Sequence, residues 1–221
     1  MPSISKEVEA GQAIYTSRTL PWYDFFVLEL SSRLVWQCPS RHALALYNQH
    51  VSANHLDVGV GSGYFLDRCQ FPNATPRVAL MDLSADALAY TAQRIGRYHP
   101  QTFRCNVLEP ITLDAERFDS VGLNFVLHCL PGDMASKARV FDHLTALMHP
   151  GAVLFGSTLL SAGVRRSWLA RRLMALYNRM GIFANSQDDL AGLERELTRR
   201  FTTVSLRVEG CVALFSCLIA A

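Results

Sequence analysis

The 221-residue sequence predicts an α/β fold in which seven strands form one mixed, mostly parallel sheet with helices on both faces. Three observations carry that expectation. After residue 50, short apolar runs alternate with helix-periodic stretches, the pattern of parallel strands joined by crossover helices. At the head of that alternation, HLDVGVGSGYFLD (55–67) runs from an apolar strand through a cluster of glycines into a helix start. Two β-rich runs separated only by Glu209-Gly210 close the chain and read as an antiparallel hairpin. With 50% hydrophobic residues the chain can bury a sizeable core, and its length fits one domain over residues 1–221.

Strand one is HLDVGV (55–60), and a helix from Tyr64 to about Phe71 follows the glycines. PNATP breaks the chain before strand two, RVALMD (77–82). Ser84 can cap the next helix, in which Leu88, Ala92 and Ile95 recur at helical spacing until Pro100 ends it. TFRCNV (102–107) reads as strand three and FDSVGLNFVLH (118–128) as strand four, the latter almost continuously apolar, as a buried parallel strand should be. A helix over 133–148 presents Val140, Leu144, Leu147 and Met148 on one face and stops at His149-Pro150-Gly151. AVLFGSTLL (152–160) is strand five, and the last helix runs from Ser186 to Arg200 with Ser186 as its cap. FTTVSLRV and CVALFSCLIA complete the sheet.

Two segments fall outside the alternation. Residues 1–50, with an aromatic-rich stretch over 15–39, form an N-terminal helical lid region. Residues 164–185 form a second cap segment after strand five, with Leu169, Leu173, Leu176, Tyr177 and Met180 on one helical face and arginines elsewhere. Both could cover the carboxyl ends of the strands, where open α/β sheets bind ligands. Taken alone, each also reads as ordinary packing.

Charge and cysteine usage narrow the function classes. The net charge of +2 supplies no field for a polyanion, so nucleic acid is not an expected partner. Early acidic residues and the lack of an apolar segment near the N-terminus argue against a secretory signal, which favours a cytoplasmic enzyme. The longest apolar run, CVALFSCLIAA, is about half of the roughly 20 residues a membrane span needs. The six cysteines form no CxxC and no zinc-like Cys/His spacing, so reduced core thiols and no metal site are expected.

The glycine cluster carries the chemistry. Glycines let a ligand approach the backbone, and a helix N-terminus offers unpaired N–H groups. Gly59, Gly61 and Gly63 give G-x-G-x-G, whereas a dinucleotide fingerprint needs G-x-G-x-x-G, and Tyr64 and Leu66 fit neither frame. Asp57, two residues before the first glycine, would repel a pyrophosphate and attract an α-ammonium group, which favours S-adenosylmethionine over a nicotinamide cofactor. Asp57 could equally tie down the loop by accepting backbone N–H groups. Asp82 ends strand two at the distance where an acid meets ribose hydroxyls, and Asn106-Val107 at the end of strand three could bracket an adenine edge.

In LDVGVGSGYFL, VALMDLSADAL, FDSVGLNFVLHCLP and HPGAVLFGSTLL, taken in that order, the chain resembles the class I S-adenosylmethionine-dependent methyltransferases, especially their small-molecule branch. The resemblance runs from about His55 to the C-terminus. It implies a Rossmann-like sheet of strand order 3-2-1-4-5-7-6 with the seventh strand antiparallel. It also implies S-adenosylmethionine as cofactor, with Asp57, Gly59, Gly61 and Gly63 at its methionine end. Asp82 with Leu83 would meet the ribose, Asn106 with Val107 the adenine, and Asn124 would join the wall. Asn106 departs from the family's usual Asp, although an amide oxygen can still accept from an adenine amino group.

Methyl transfer from a sulfonium needs alignment, exclusion of water, and a base only where the nucleophile must lose a proton. His128 is the candidate base, with a pocket-shaping role as the alternative. Asn124 is followed by Phe-Val, so the motif that holds a flipped base is absent. Tyr15, Trp22, Tyr23 and Trp36 on one side and Trp168, Tyr177 and Phe183 on the other would form an aromatic substrate lid, implying a small apolar or aromatic acceptor of the methyl at O, N, S or C. Arg165, Arg166, Arg171 and Arg172 read as a solvated helix face. The competing reading is a methyltransferase-like protein that binds S-adenosylmethionine without transfer, as a cyclase-like catalyst or a partner subunit. The sequence leaves the oligomeric state open.

Overall fold

The computed structural model of the chain describes residues 30–220. Its strands are β1 (Asn54–Val58), β2 (Arg77–Asp82), β3 (Gln101–Arg104), β4 (Phe118–Asn124), β5 (Met148–Leu159), β6 (Thr203–Glu209) and β7 (Val212–Leu218). They form one sheet in the order β3-β2-β1-β4-β5-β7-β6, parallel except that β7 runs antiparallel to both β5 and β6. The expected topology is therefore present.

Side chains alternate across a strand, and here the alternation divides the core in two. His55, Asp57, Val78, Leu80 and Phe155 face helices α1 (Arg41–His50), α2 (Tyr64–Arg68), α3 (Ala85–Arg94) and, after two short helices, α6 (Trp168–Arg179). Leu56, Val58, Ala79, Met81 and Leu154 face α4 (Met134–Lys137), α5 (Arg139–Thr145) and α7 (Leu190–Thr198). Ser84 caps α3 as expected, its hydroxyl accepting from the Ala87 N–H at 3.2 Å.

Several boundaries differ from the sequence reading. β3 stops at Arg104, so Asn106 and Val107 lie in the turn beyond it. β4 stops at Asn124 because Phe125 adopts φ 57°, and His128 sits on a 3-10 turn, Leu127–Cys129. The helix expected over 133–148 is two short helices. His149-Pro150-Gly151 lies within β5, where the register against β4 shifts between Phe118 and Ser120. The last helix is capped by Asp189, whose side chain accepts from the Gly192 N–H, and not by Ser186. Upstream, the Asp188 carbonyl accepts the N–H groups of Ser161 and Ala162, which holds that stretch outside the helix.

α6 is also turned from the expected face. Ala170 and Met174 are buried, whereas Leu169, Leu176 and Met180 are exposed. Polar tethers set this orientation. Ser167 caps the helix and also donates to the Val35 carbonyl at 3.1 Å. Asn178 and Asn185 bond each other twice, at 2.8 and 3.0 Å, and Asn185 donates to the Leu159 carbonyl at 3.0 Å.

Candidate active site

A cleft opens at the carboxyl end of β1, lined by Tyr47, Asp57, residues 59–66, Asn124 and Phe125. Gly59, Gly61 and Gly63 all have positive φ, at 69°, 52° and 70°. At Gly59 a side chain would run into Val126, and at Gly63 its Cβ would lie 2.7 Å from Thr91. Both positions therefore need glycine for conformation and for space. The loop is fastened from the α3 side, where Thr91 donates to the Gly61 carbonyl at 3.1 Å and Arg94 to the Ser62 carbonyl at 3.0 Å.

Asp57 is buried under this loop with 4% exposure, and the Tyr47 hydroxyl donates to its Oδ1 at 2.6 Å. Tyr47, held between a stacked Phe65 and an edge-on Phe155, is a site residue that the sequence reading missed. Its helix precedes strand one, and no local motif marks it. Burial beside Asp57 holds its phenol well above its ordinary value, so it stays a donor. Asn124 accepts from the Ser157 hydroxyl at 2.9 Å, while its amide nitrogen is buried in the cleft wall beside the Tyr47 hydroxyl.

Asp82 and Leu83 stand at the end of β2 beside the loop. Asp82 accepts from the Ser84 N–H at 2.9 Å. Burial pushes its carboxyl up to about 6 against the opposing pull of the N–H groups of Ser84, Gly61, Leu83 and Val60. Asn106 is occupied with its own turn, accepting from the Leu108 N–H at 3.1 Å and donating to Glu109 at 3.0 Å. Val107 is buried, and its carbonyl lies 2.9 Å from His143 Nδ1.

The structure gathers Trp36, His128 and the Tyr177–Phe183 pair from three distant stretches into one cluster. Phe183 meets Trp36 at 6.1 Å, Tyr177 at 5.0 Å and His128 edge-on at 4.6 Å. Phe125 lies 6.3 Å from both His128 and Phe65, which joins the cluster to the cleft. Its left-handed backbone is unusual for a bulky residue and was not foreseen from the sequence. His128 is buried with Nδ1 unpartnered, and burial with the nearby Lys137 charge lowers it to about 3, so it is neutral at working pH. Trp168 does not join the cluster; it is 63% exposed beneath the Arg172 guanidinium. Arg165, Arg171 and Arg172 are likewise exposed. Tyr15, Trp22 and Tyr23 lie outside the described residues.

Among the described residues no group of three or more His, Cys, Asp or Glu could hold a metal, and no helix is long and apolar enough to cross a membrane. Residues 56–154 match a family described as a methyltransferase domain. Over nearly its whole length the chain is similar to demethylluteothin O-methyltransferase of Streptomyces thioluteus, at 40% identity over 96% of this chain and 92% of the relative. The chain belongs to the class I S-adenosylmethionine-dependent methyltransferases.

A second relative of this methyltransferase is the physcion biosynthesis cluster O-methyltransferase of Aspergillus chevalieri, at 36% identity over 99% and 98% of the two chains. Its fold is similar to that of N-methyltransferase NodS of Bradyrhizobium japonicum in complex with S-adenosyl-L-homocysteine, with TM-score 0.66 at 17% identity over 98% and 100% of the chains. The protein is a methyl-transferring enzyme with S-adenosylmethionine as cofactor, and the non-transferring reading is not favoured. The cleft fits that cofactor: glycines with no room for side chains, a buried carboxylate below them, and an amide on the wall.

Proposed function

We propose that this methyltransferase acts on an acidic hydroxyl, a phenol or an enol, of a small apolar aromatic molecule. The ring cluster of Trp36, Tyr177 and Phe183 around a neutral, buried His128 carries the reading. Stacked and edge-on rings receive a flat apolar acceptor well. A histidine whose conjugate acid has a pKa of about 3 is a weak base, so it suits a hydroxyl that already loses its proton readily. Two relatives named for O-methylation support oxygen as the acceptor atom.

In this reading Asp57 receives the cofactor's ammonium group, the glycine loop its methionine moiety, Asp82 with Leu83 its ribose, and Asn106 with Val107 its adenine. Asn124, whose amide lies beside the Tyr47 hydroxyl, stands in the wall next to the bound cofactor. When bound, S-adenosylmethionine supplies an electrophilic methyl carbon on a sulfonium. His128 and the ring cluster exclude water and hold the hydroxylate in line. Segment 164–185 closes over the acceptor as a cap of the single domain.

Measuring S-adenosylhomocysteine formation across a panel of apolar phenols, enols, anilines and thiols tests the proposal. Turnover should be confined to hydroxyl acceptors, rise with pH as each acceptor ionises, and survive in His128→Gln within about tenfold. Transfer to amines or thiols with the hydroxyl compounds inert would sink it.

A further inference from the structure

Beneath the cleft runs a buried series of polar side chains that methyl transfer does not itself require. His55 and Asp57, two apart on β1, share one face of the sheet, opposite Gly122 of β4. A Cβ at residue 122 would lie 2.6 Å from Asp57 Oδ1 and 3.3 Å from the His55 ring, so that strand leaves out a side chain where these two groups sit.

Counting protons along the series fixes the histidine. Ser52 Oγ lies 2.8 Å from the Asn54 carbonyl, which can only accept, so the Ser52 proton goes there. Ser120 Oγ lies 2.8 Å from Ser52 Oγ and places its own proton on it, while accepting from the Ser52 N–H at 2.9 Å. His55 Nδ1, 2.8 Å from Ser120 Oγ, is then left to donate, so Nδ1 carries hydrogen in either charge state. The other nitrogen, Nε2, is buried without a hydrogen-bond partner, 3.5 Å from Asp57 Oδ1. A neutral ring therefore turns a lone pair toward a carboxylate; a protonated ring turns an N–H toward it.

We propose that His55 is a positioning residue whose protonation decides how much of the Asp57 charge is offered to the cofactor's ammonium group. This rests on the assignment of Asp57 to that ammonium. As an imidazolium, His55 pairs with Asp57 and places a second cation beside the incoming one. As the Nδ1–H neutral tautomer, it leaves the carboxylate to the cofactor. Cofactor binding and a proton on His55 then oppose each other, and the linkage is reciprocal.

Asp57 is the acidic side chain that faces His55. On α1, Tyr47 meets the ring edge-on at 6.2 Å, and burial holds its phenol protonated. Beyond α2, Phe71 lies at 6.2 Å, and the Cys69 thiol, which interacts with Asp57, is pushed up to about 12 by burial. On β5, Phe155 stacks at 5.7 Å and separates His55 from His50, which burial lowers. On β4 the neighbour is Ser120.

The test is long-range proton–nitrogen NMR of the full chain labelled at its seven histidines, between about pH 5.5 and 8.5, with and without S-adenosylhomocysteine. His55→Gln identifies the signals. The expected result is that His55 carries the Nδ1–H tautomer with S-adenosylhomocysteine bound, and a larger share of imidazolium without it at the same pH. Calorimetry in buffers of different ionisation heat should show proton release on binding that is smaller in His55→Gln, whereas the share from Asp82 persists. An Nε2–H tautomer, a His55 charge state unmoved by the ligand, or equal proton release in both proteins would overturn the proposal while leaving the Asp57 assignment standing. Failure of S-adenosylhomocysteine to bind would overturn both.

Discussion

Asp82 illustrates at the scale of one residue how a ligand site holds energy that the fold alone does not need. Its carboxyl is raised from 3.8 to about 6, chiefly by burial, with four backbone N–H groups opposing. For an acid raised in this way, the folded state binds the proton more tightly than the unfolded state. Its favourable contribution is therefore present below about pH 4 and lost as pH rises through about 6. Asp82→Asn keeps an oxygen to accept from Ser84 and removes the ionisation. Its stability relative to the wild type should thus improve by about 1–3 kcal/mol between pH 4 and pH 8, in the absence of cofactor, as read by urea unfolding at the two pH values. Asp82 was legible from its distance to the glycines, and Asp57 from its place before them. Tyr47 and the Ser52–Ser120–His55 series were not, because such partners are chosen by packing between α1, β1 and β4 and leave no spacing in the chain.

At the scale of the element, the cap helix shows where periodicity stops informing. Leu169, Leu173, Leu176 and Met180 form a regular stripe, yet the helix buries Ala170 and Met174 beside it. The tethers at Ser167, Asn178 and Asn185 set that rotation, and a single-chain pattern cannot show which polar residues will find buried partners. Asn185→Ala would leave the Leu159 carbonyl and the Asn178 side chain short of partners, costing about 1–3 kcal/mol. The loss should be local. Hydrogen exchange is expected to speed up across 168–185 with β1 and β4 unchanged, and KM for the acceptor should rise while affinity for S-adenosylhomocysteine stays put. The strand boundaries were off for a similar reason: the backbone reversal at Phe125 is a tertiary outcome in a bulky residue that rarely marks one, and Pro150, read as a helix stop, instead lies within β5 near its register shift, a place where a strand tolerates proline.

For the whole molecule, the alternation of strands and helices made the seven-stranded sheet legible, and the resemblance supplied its order. One long-range feature escaped it. Lys137, one of two lysines in the chain, is fully buried, with Nζ 2.7 Å from both Asp188 oxygens and 2.9 Å from the Ala184 carbonyl. It ties α4 to the segment between the cap and α7. Burial lowers the lysine and pushes Asp188 up to about 6, so removing one partner strands the other. Lys137→Met, which also removes the ammonium that holds Asp188 down, should cost about 3–5 kcal/mol while Asp188 stays ionised and less once it takes up a proton, so the cost should be smaller at pH 5 than at pH 8 by unfolding at the two values. The polar contacts around the cleft carry a separate consequence for anyone cutting a portable transfer module from this chain. The matched stretch ends at residues 56 and 154, yet Asp57 leans on Tyr47 and His55 ahead of it, and Asn124 on Ser157 behind it. A working excision has to start before Arg41 and reach past Leu159.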